Sequence, residues 1–179
     1  MMNRTNIRAA CTALAGVLLS FGAMAEPWKY ETLTDKMTDA QTRMAYLQST
    51  NSLSLPPPYA GKNYGWIYVR QHPQHGQDVI VRVNKGQILC HIPECQLLFR
   101  IDDGKATQIT FLPSSSHESN VALARNAKAL IAQLIKAKKV MIQVPMFQAG
   151  NQVLEFEADK PLEWAAPAPA PKKASGARK

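Results

Sequence analysis

Between Trp28 and Asp159 apolar residues recur at every second position in short runs, and turn-forming residues separate the runs. Period two sends successive side chains to opposite faces of a sheet, so the pattern predicts antiparallel β-strands. Opening strands are expected at Trp28-Lys29-Tyr30 and Arg43-Met44-Ala45-Tyr46-Leu47, with a turn near Thr34-Asp35-Lys36. Leu55-Pro56-Pro57-Pro58-Tyr59 then interrupts the pattern, because proline lacks a donor and restricts the residue before it. Trp66–Arg70 and Val79–Val83 read as paired strands across His72–Asp78, with Ile67, Val69, Val79, Val81 and Val83 facing the core. Asn84-Lys85-Gly86 marks the next turn, followed by Gln87–Cys90 and Cys95–Ile101 as strands. In the second of these Leu97, Phe99 and Ile101 share a face. Asp102-Asp103-Gly104 is a hairpin signal leading into Gln108–Leu112.

After Leu112 the period changes. Ser115-Ser116-His117-Glu118 has capping-box spacing, and Leu123, Ala127, Leu130, Ile131 and Leu134 recur at helical intervals toward Lys139. One amphipathic helix running through Lys139 is expected there, with Arg125, Lys128, Lys136, Lys138 and Lys139 on its polar side. Val140–Val144 and Val153–Glu157 read as a closing hairpin over Ala149-Gly150-Asn151, with Leu162 and Trp164 docking a last short segment. The fold class that follows is mainly β (α+β): an antiparallel β-sandwich-like body with one covering amphipathic helix.

The ends of the chain have a different character. Arg4 and Arg8 precede an apolar stretch from Ala9 to Gly22, and Ala23-Met24-Ala25 has the form of a signal-peptidase site. Residues 1–25 are therefore expected to be a cleavable Sec signal, and the mature protein a soluble periplasmic one. The apolar stretch is shorter than the roughly 20 residues of a membrane span. Residues 26–164 suit one domain. Residues 165–179 alternate Ala and Pro and end in a basic cluster, Lys172, Lys173, Arg178 and Lys179, which predicts an extended, disordered tail. Of the formal charge of +8, the leader and the tail carry most, leaving about +2 on the folded body. That distribution argues against nucleic-acid binding, which needs a basic stripe on the domain itself. The tail instead suits weak, salt-sensitive contact with an anionic envelope surface.

Candidate chemistry is sparse. In an exported chain the two mature cysteines, Cys90 and Cys95, read as a disulfide at the base of a hairpin. A zinc site using both thiolates with His91 lacks a second ligand pair at suitable spacing. His72 and His75 share a turn that reads as a solvated loop, and Ser114, Ser115, Ser116 and His117 read as turn and cap residues rather than as a nucleophile beside a base. Asp102 and Asp103 are turn chemistry, and Glu155 and Glu157 a solvated strand face. A phosphate-binding Gly loop, a C-x-x-C pair and a zincin helix are all missing from the sequence. The chain is therefore expected to bind rather than to catalyse, without metal or cofactor. The aromatics Tyr59, Tyr64, Trp66 and Tyr68 are the candidate partner-binding residues, with a place in the core as the other reading of the same side chains.

Several segments together carry a resemblance: Trp28, Asp35-Lys36-Met37, Pro58-Tyr59, Ile67-Tyr68-Val69-Arg70, Lys85-Gly86-Gln87-Ile88-Leu89-Cys90, Phe99-Arg100-Ile101-Asp102-Asp103-Gly104, Leu154-Glu155-Phe156 and Leu162-Glu163-Trp164. In this order they resemble a group of small exported proteins of Gram-negative bacteria and their mobile elements. The layout is also similar to that of periplasmic accessory proteins of type VI secretion. The resemblance implies a β-sandwich-like fold with one covering helix and carries over no catalytic residue. The function expected is that of a periplasmic binding or accessory protein acting on an envelope protein or on secretion or conjugation machinery. The alternative is a periplasmic inhibitor, exclusion or immunity factor directed at a toxin, a hydrolase or such a machine, encoded on a plasmid or phage.

Overall fold

The computed structural model describes residues 27–165; the expected signal at 1–25 and the tail cations Lys172, Lys173, Arg178 and Lys179 lie outside the described residues. Nine strands and one helix follow in the order β1 (Lys29–Thr34), β2 (Gln41–Gln48), β3 (Gly65–His72), β4 (Gly76–Val83), β5 (Cys95–Ile101), β6 (Thr107–Pro113), β7 (Val121–Ala124), α1 (Ala127–Leu134), β8 (Lys139–Met146) and β9 (Gly150–Glu157). All nine strands belong to one antiparallel sheet of order β1-β2-β3-β4-β7-β6-β5-β8-β9. Among the described residues the fold is thus mainly β with a single helix, as the alternating pattern and its later helical break predict.

The alternation becomes an inside and an outside. Ala45 and Leu47 of β2, Ile67 and Val69 of β3, and Val79, Val81 and Val83 of β4 are buried on the same face as Leu97, Phe99 and Phe111. Val140, Ile142 and Val144 of β8 and Leu154 and Phe156 of β9 complete this inner face. Phe99 and Phe111 stack with centroids 5.6 Å apart at its centre. An open sheet of this size would leave much of that apolar face wet, so it has to curl over itself.

The curl is completed where β9 meets the segment after β2. Thr50 N donates to Glu155 O at 2.8 Å. The Asn51 side chain behaves as a peptide unit there: its Nδ2 donates to Val153 O at 2.8 Å, and its Oδ1 accepts from Glu155 N at 2.9 Å. Gly65 sits directly behind, where an added Cβ would overlap Leu154 Cδ1 and stand 2.7 Å from Cδ2. Two buried polar residues hold the loop that carries this contact. Ser49 accepts from Gly65 N and donates to Asn51 O. Asn63 bonds Lys85 through both amide atoms, accepting from its N–H and donating to its carbonyl.

Two crossovers pass over opposite ends of this curled sheet. Residues 84–94 run from β4 to β5 past the ends of β7 and β6, burying Ile88. The run Gln87–Cys90, expected as a strand, forms no ladder. Ile88 makes one bridge to Met146, and Ile88 N and Leu89 N bond the carbonyls of Ser119 and Pro145. A segment that crosses strand ends meets its neighbours only at their tips, here a loop carbonyl and the backbone at the end of β8. The Cys90–Cys95 disulfide forms, but it ties this crossover to the start of β5 and does not close a two-stranded hairpin.

The second crossover contains α1, and the helix differs from expectation. Its body is Ala127–Leu134, capped by Asn126, whose Oδ1 accepts from Ala129 N at 3.2 Å. The preceding Val121–Ala124 is β7, because those residues fill the gap between β4 and β6 and bond on both sides. Two ladders outweigh the helical spacing of Leu123 with Ala127. Lys136 and Lys138 follow the helix and Lys139 opens β8, so the expected basic stripe is not one helix face. Ser116 bonds Glu118 in a surface turn instead of capping a helix. Leu130, Ile131 and Leu134 point into the core, as their spacing predicts.

Gly65→Ala is expected to destabilise the fold by about 1–3 kcal/mol through overpacking against Leu154. Combined with Leu154→Ala it should cost clearly less than the two single changes added together, because each relieves the other. Denaturant unfolding of the four proteins measures this; strict additivity would mean that β3 and β9 do not touch here.

Candidate functional site

The inner face uses one set of alternate positions and leaves the other set facing outward. Strand register lines up the outward side chains of β1 to β4 and β7 in rows across the sheet. The middle row reads Lys29, Tyr46, Tyr68, Ile80, Leu123, and on either side run Glu31, Met44, Arg70, Asp78 and Gln48, Trp66, Arg82, Val121. These rows form a shallow groove of about 540 Å³ lined by Glu31, Met44, Tyr46, Trp66, Tyr68 and Arg82 among others. The aromatic rings are half-buried, so they are held by the sheet yet reachable from outside.

The groups in the groove order one another. Tyr46 and Tyr68, directly opposite across β2 and β3, pack with centroids 5.5 Å apart at 35°. Tyr46 Oη donates to Glu31 Oε1 at 2.8 Å. Arg70 grips Asp78 Oδ2 through Nε at 2.9 Å and through its terminal nitrogen at 2.6 Å, an aligned ion pair at the groove's margin. Lys29, Arg70 and Arg82 are offset on this surface by Glu31, Asp78 and Glu118. The surface is therefore aromatic and polar without a large net charge.

Both phenols titrate above the ordinary tyrosine value. For Tyr46 the main cause is the hydrogen bond to Glu31, which is lost when the phenol ionises, with lesser contributions from desolvation and the Glu31 charge. For Tyr68 burial is the main cause, opposed by Arg82 and aided by Glu31. Both rings stay protonated, hydrogen-bonding groups at neutral pH.

Of the four aromatics singled out in the sequence, the structure brings two together. Trp66 and Tyr68 are on the outer face of β3 and line the groove. Tyr64 lies just before the strand, where its carbonyl accepts from Asn84 N. Tyr59 packs against the core edge, within 3.4 Å of Gln87 Nε2. The sequence does not mark Tyr46, Met44, Glu31 and Arg82 as site residues, because they meet Trp66 and Tyr68 only through the cross-strand register of β1 to β4. The alternation of Met44 and Tyr46 against Ala45 and Leu47 was the available signal.

Other features carry less chemistry. A larger hollow of about 720 Å³ lies where β4 outruns β7 beside the start of α1; it is lined by Gln71, Asp78, Arg125 and Lys128 with the aliphatic side chains of Leu112 and Leu123, and has no aromatic wall. His72 and His75 stack on each other in the β3–β4 turn, where His72 Nδ1 accepts from the backbone N–H groups of Gln74 and His75. Among the described residues no group of three or more His, Cys, Asp or Glu side chains converges as a metal site would require. Arg125 pairs with Glu94 across the disulfide-bearing crossover.

The tyrosine arrangement has a measurable consequence. A raised folded pKa makes its stabilisation complete below the ordinary tyrosine value, about 10, and lost as pH rises through the raised values. Tyrosinate absorbance should show Glu31→Gln drawing the Tyr46 midpoint down while most of the Tyr68 shift survives; unchanged midpoints would contradict the Glu31 contact. Replacing both Cys90 and Cys95 by Ala should cost about 2 kcal/mol in denaturant unfolding, as befits so short a loop. A loss near zero would show that the crossover keeps its course without the bond. Compared with known proteins, the chain matches no family model, no curated protein and no solved structure, so its site rests on the geometry of these residues.

Proposed function

We propose that this domain is a non-enzymatic periplasmic binding or accessory protein that engages an envelope protein, a component of secretion- or conjugation-type machinery, through the outer face of β1 to β4. The observation that carries this reading is the row of Tyr46, Tyr68 and Trp66 with Met44 and Arg82 on one rigid sheet surface. Tyr, Trp and Arg dominate binding hot spots because they combine large apolar area with a hydrogen-bonding end and few rotatable bonds. Here their rotamers are restrained by neighbours on adjoining strands, which lowers the entropic cost of docking.

The balanced charge of the face favours a protein surface over a polyanion. A nucleic acid or anionic polymer would be matched by cations without the carboxylates Glu31, Asp78 and Glu118 among them. The ion pair of Arg70 with Asp78 has side chains only 28% and 20% exposed, and it forms a polar border beside the aromatic centre. An apolar centre with a polar border is the usual anatomy of a protein–protein contact. The basic tail, beyond the described residues, adds weak attraction to the anionic envelope in this reading.

Pull-down from envelope extract by the mature chain tests the proposal. The full chain and a chain ending at Trp164 are expected to recover the same defined partner at high salt, and the pair Trp66→Ala and Tyr68→Ala to lose it by about tenfold or more. Both substitutions fall on the outer face, so an unchanged circular dichroism spectrum checks that the fold survives. Binding that disappears with the tail or with salt, and persists in the double variant, would move the function away from this surface.

A further inference from the structure

The two edges of the sheet are finished differently. The β9 edge is covered by Thr50 and Asn51, which occupy the backbone groups of Val153 and Glu155. The β1 edge is uncovered among the described residues. All six residues of β1, Lys29-Tyr30-Glu31-Thr32-Leu33-Thr34, are exposed, and their pairing with β2 runs without a bulge from Lys29 opposite Tyr46 to Thr34 opposite Gln41. β1 contains no proline, and Leu33 is 53% exposed beside a turn that presents Met37 at 91%. That turn is firmly built, with Asp35 Oδ1 accepting from Met37 N, Thr38 N and Thr38 Oγ1. A regular, proline-free and exposed edge of this kind is a template for strand addition.

We propose that the β1 edge joins a second copy of this chain, so that two sheets continue into one across a two-fold axis. Antiparallel β1 strands related by an axis normal to the sheet keep outer face beside outer face, which permits only registers that pair residues of like parity. Centring on Glu31 would set Glu31 against its own copy, an unfavourable like-charge pair. Centring on Tyr30 would pair only Lys29 to Glu31 within the strand and leave Thr32 to Thr34 without strand partners. Centring on Thr32 pairs Tyr30 to Thr34 within the strand and carries Lys29 onto the residue just after it. It sets Thr32 against Thr32, Glu31 against Leu33, Tyr30 against Thr34, and Lys29 against Asp35 at both ends.

The Thr32 register thus avoids the like-charge pair of the Glu31 register and sets Lys29 beside Asp35, the residue that follows β1. The outer rows beginning at Lys29 and Glu31 then continue into those of the partner, and two aromatic grooves face the same side of one extended sheet. This assembly does not depend on the partner-binding role of the groove, since it uses the strand edge and not the aromatic face.

Sedimentation velocity of the mature chain from low micromolar to near-millimolar concentration tests it. A monomer–dimer equilibrium is expected, and Lys29→Glu, which places like charges opposite each other twice, should weaken it about tenfold. Thr32→Cys should yield a disulfide-linked dimer on mild oxidation, the new bond mapping to position 32 in both copies, while Thr34→Cys should not. All three side chains are exposed, so the fold is spared. A chain that stays monomeric throughout, a Lys29→Glu variant that dimerises as tightly as the parent, or linkage at position 34 as ready as at 32 would overturn the proposal.

Discussion

The contact between Asn51 and the backbone of β9 is the constraint on which the rest depends. A nine-stranded sheet with one apolar face can bury that face only by bringing its far ends together. Among the described residues no tenth strand closes the ring. A side-chain amide supplies the donor and the acceptor that a neighbouring strand would have offered to Val153 and Glu155. The approach is close because Gly65 presents no Cβ to Leu154. Ser49 and Asn63, buried and fully engaged, fix the loop that delivers Asn51. Buried polar groups are costly unless satisfied, so each of these bonds specifies the closed arrangement more than it adds net stability.

Closure on one side determines what the other side can do. With Ile67, Val69, Val79 and Val81 committed to the core, the intervening Trp66, Tyr68, Arg70, Ile80 and Arg82 have to face outward. Tyr46 meets Tyr68 only because β2 and β3 pair in the register that sets Ala45 opposite Val69. A one-residue slip would turn the aromatics inward and the valines out. The aromatic surface and the hydrophobic core are thus two readings of one alternation. The rigidity of the sheet is what makes half-buried rings a surface suited to recognition.

Much of this is legible in the sequence because β-periodicity is local. The hairpins of Trp66–Arg70 with Val79–Val83, of Cys95–Ile101 with the strand after Asp102-Asp103-Gly104, and of Val140–Val144 with Val153–Glu157 all form between neighbours in the chain. What local pattern does not carry is the assembly of these hairpins. The place of β7 between β4 and β6 is set by two ladders, one to the preceding strand β6 and one to β4 much earlier in the chain, and together they override the helical spacing that Leu123 and Ala127 share. Gln87–Cys90 has strand-like composition, but the connection from β4 to β5 requires it to cross strand ends. The same limit applies to the candidate site. Trp66 and Tyr68 can be picked out in one run, whereas Glu31, Tyr46 and Arg82 join them only through cross-strand register. Nothing in the spacing of Asn51 marks it as a substitute for a peptide bond.

The three tryptophans sample the two sides of the sheet, which makes them reporters of where a partner binds: Trp28 and Trp164 are buried, and Trp66 lies in the outer groove. The most direct measurement is the indole N–H spectrum of the isotopically labelled chain from Glu26 onward, titrated with fractionated envelope extract, where the proposed function places the partner. Binding through the outer face would shift or broaden the Trp66 signal while those of Trp28 and Trp164 stay in place. A bound state in which Trp66 is unmoved, or in which the buried pair responds first, would contradict the assignment of this face as the working surface of the protein.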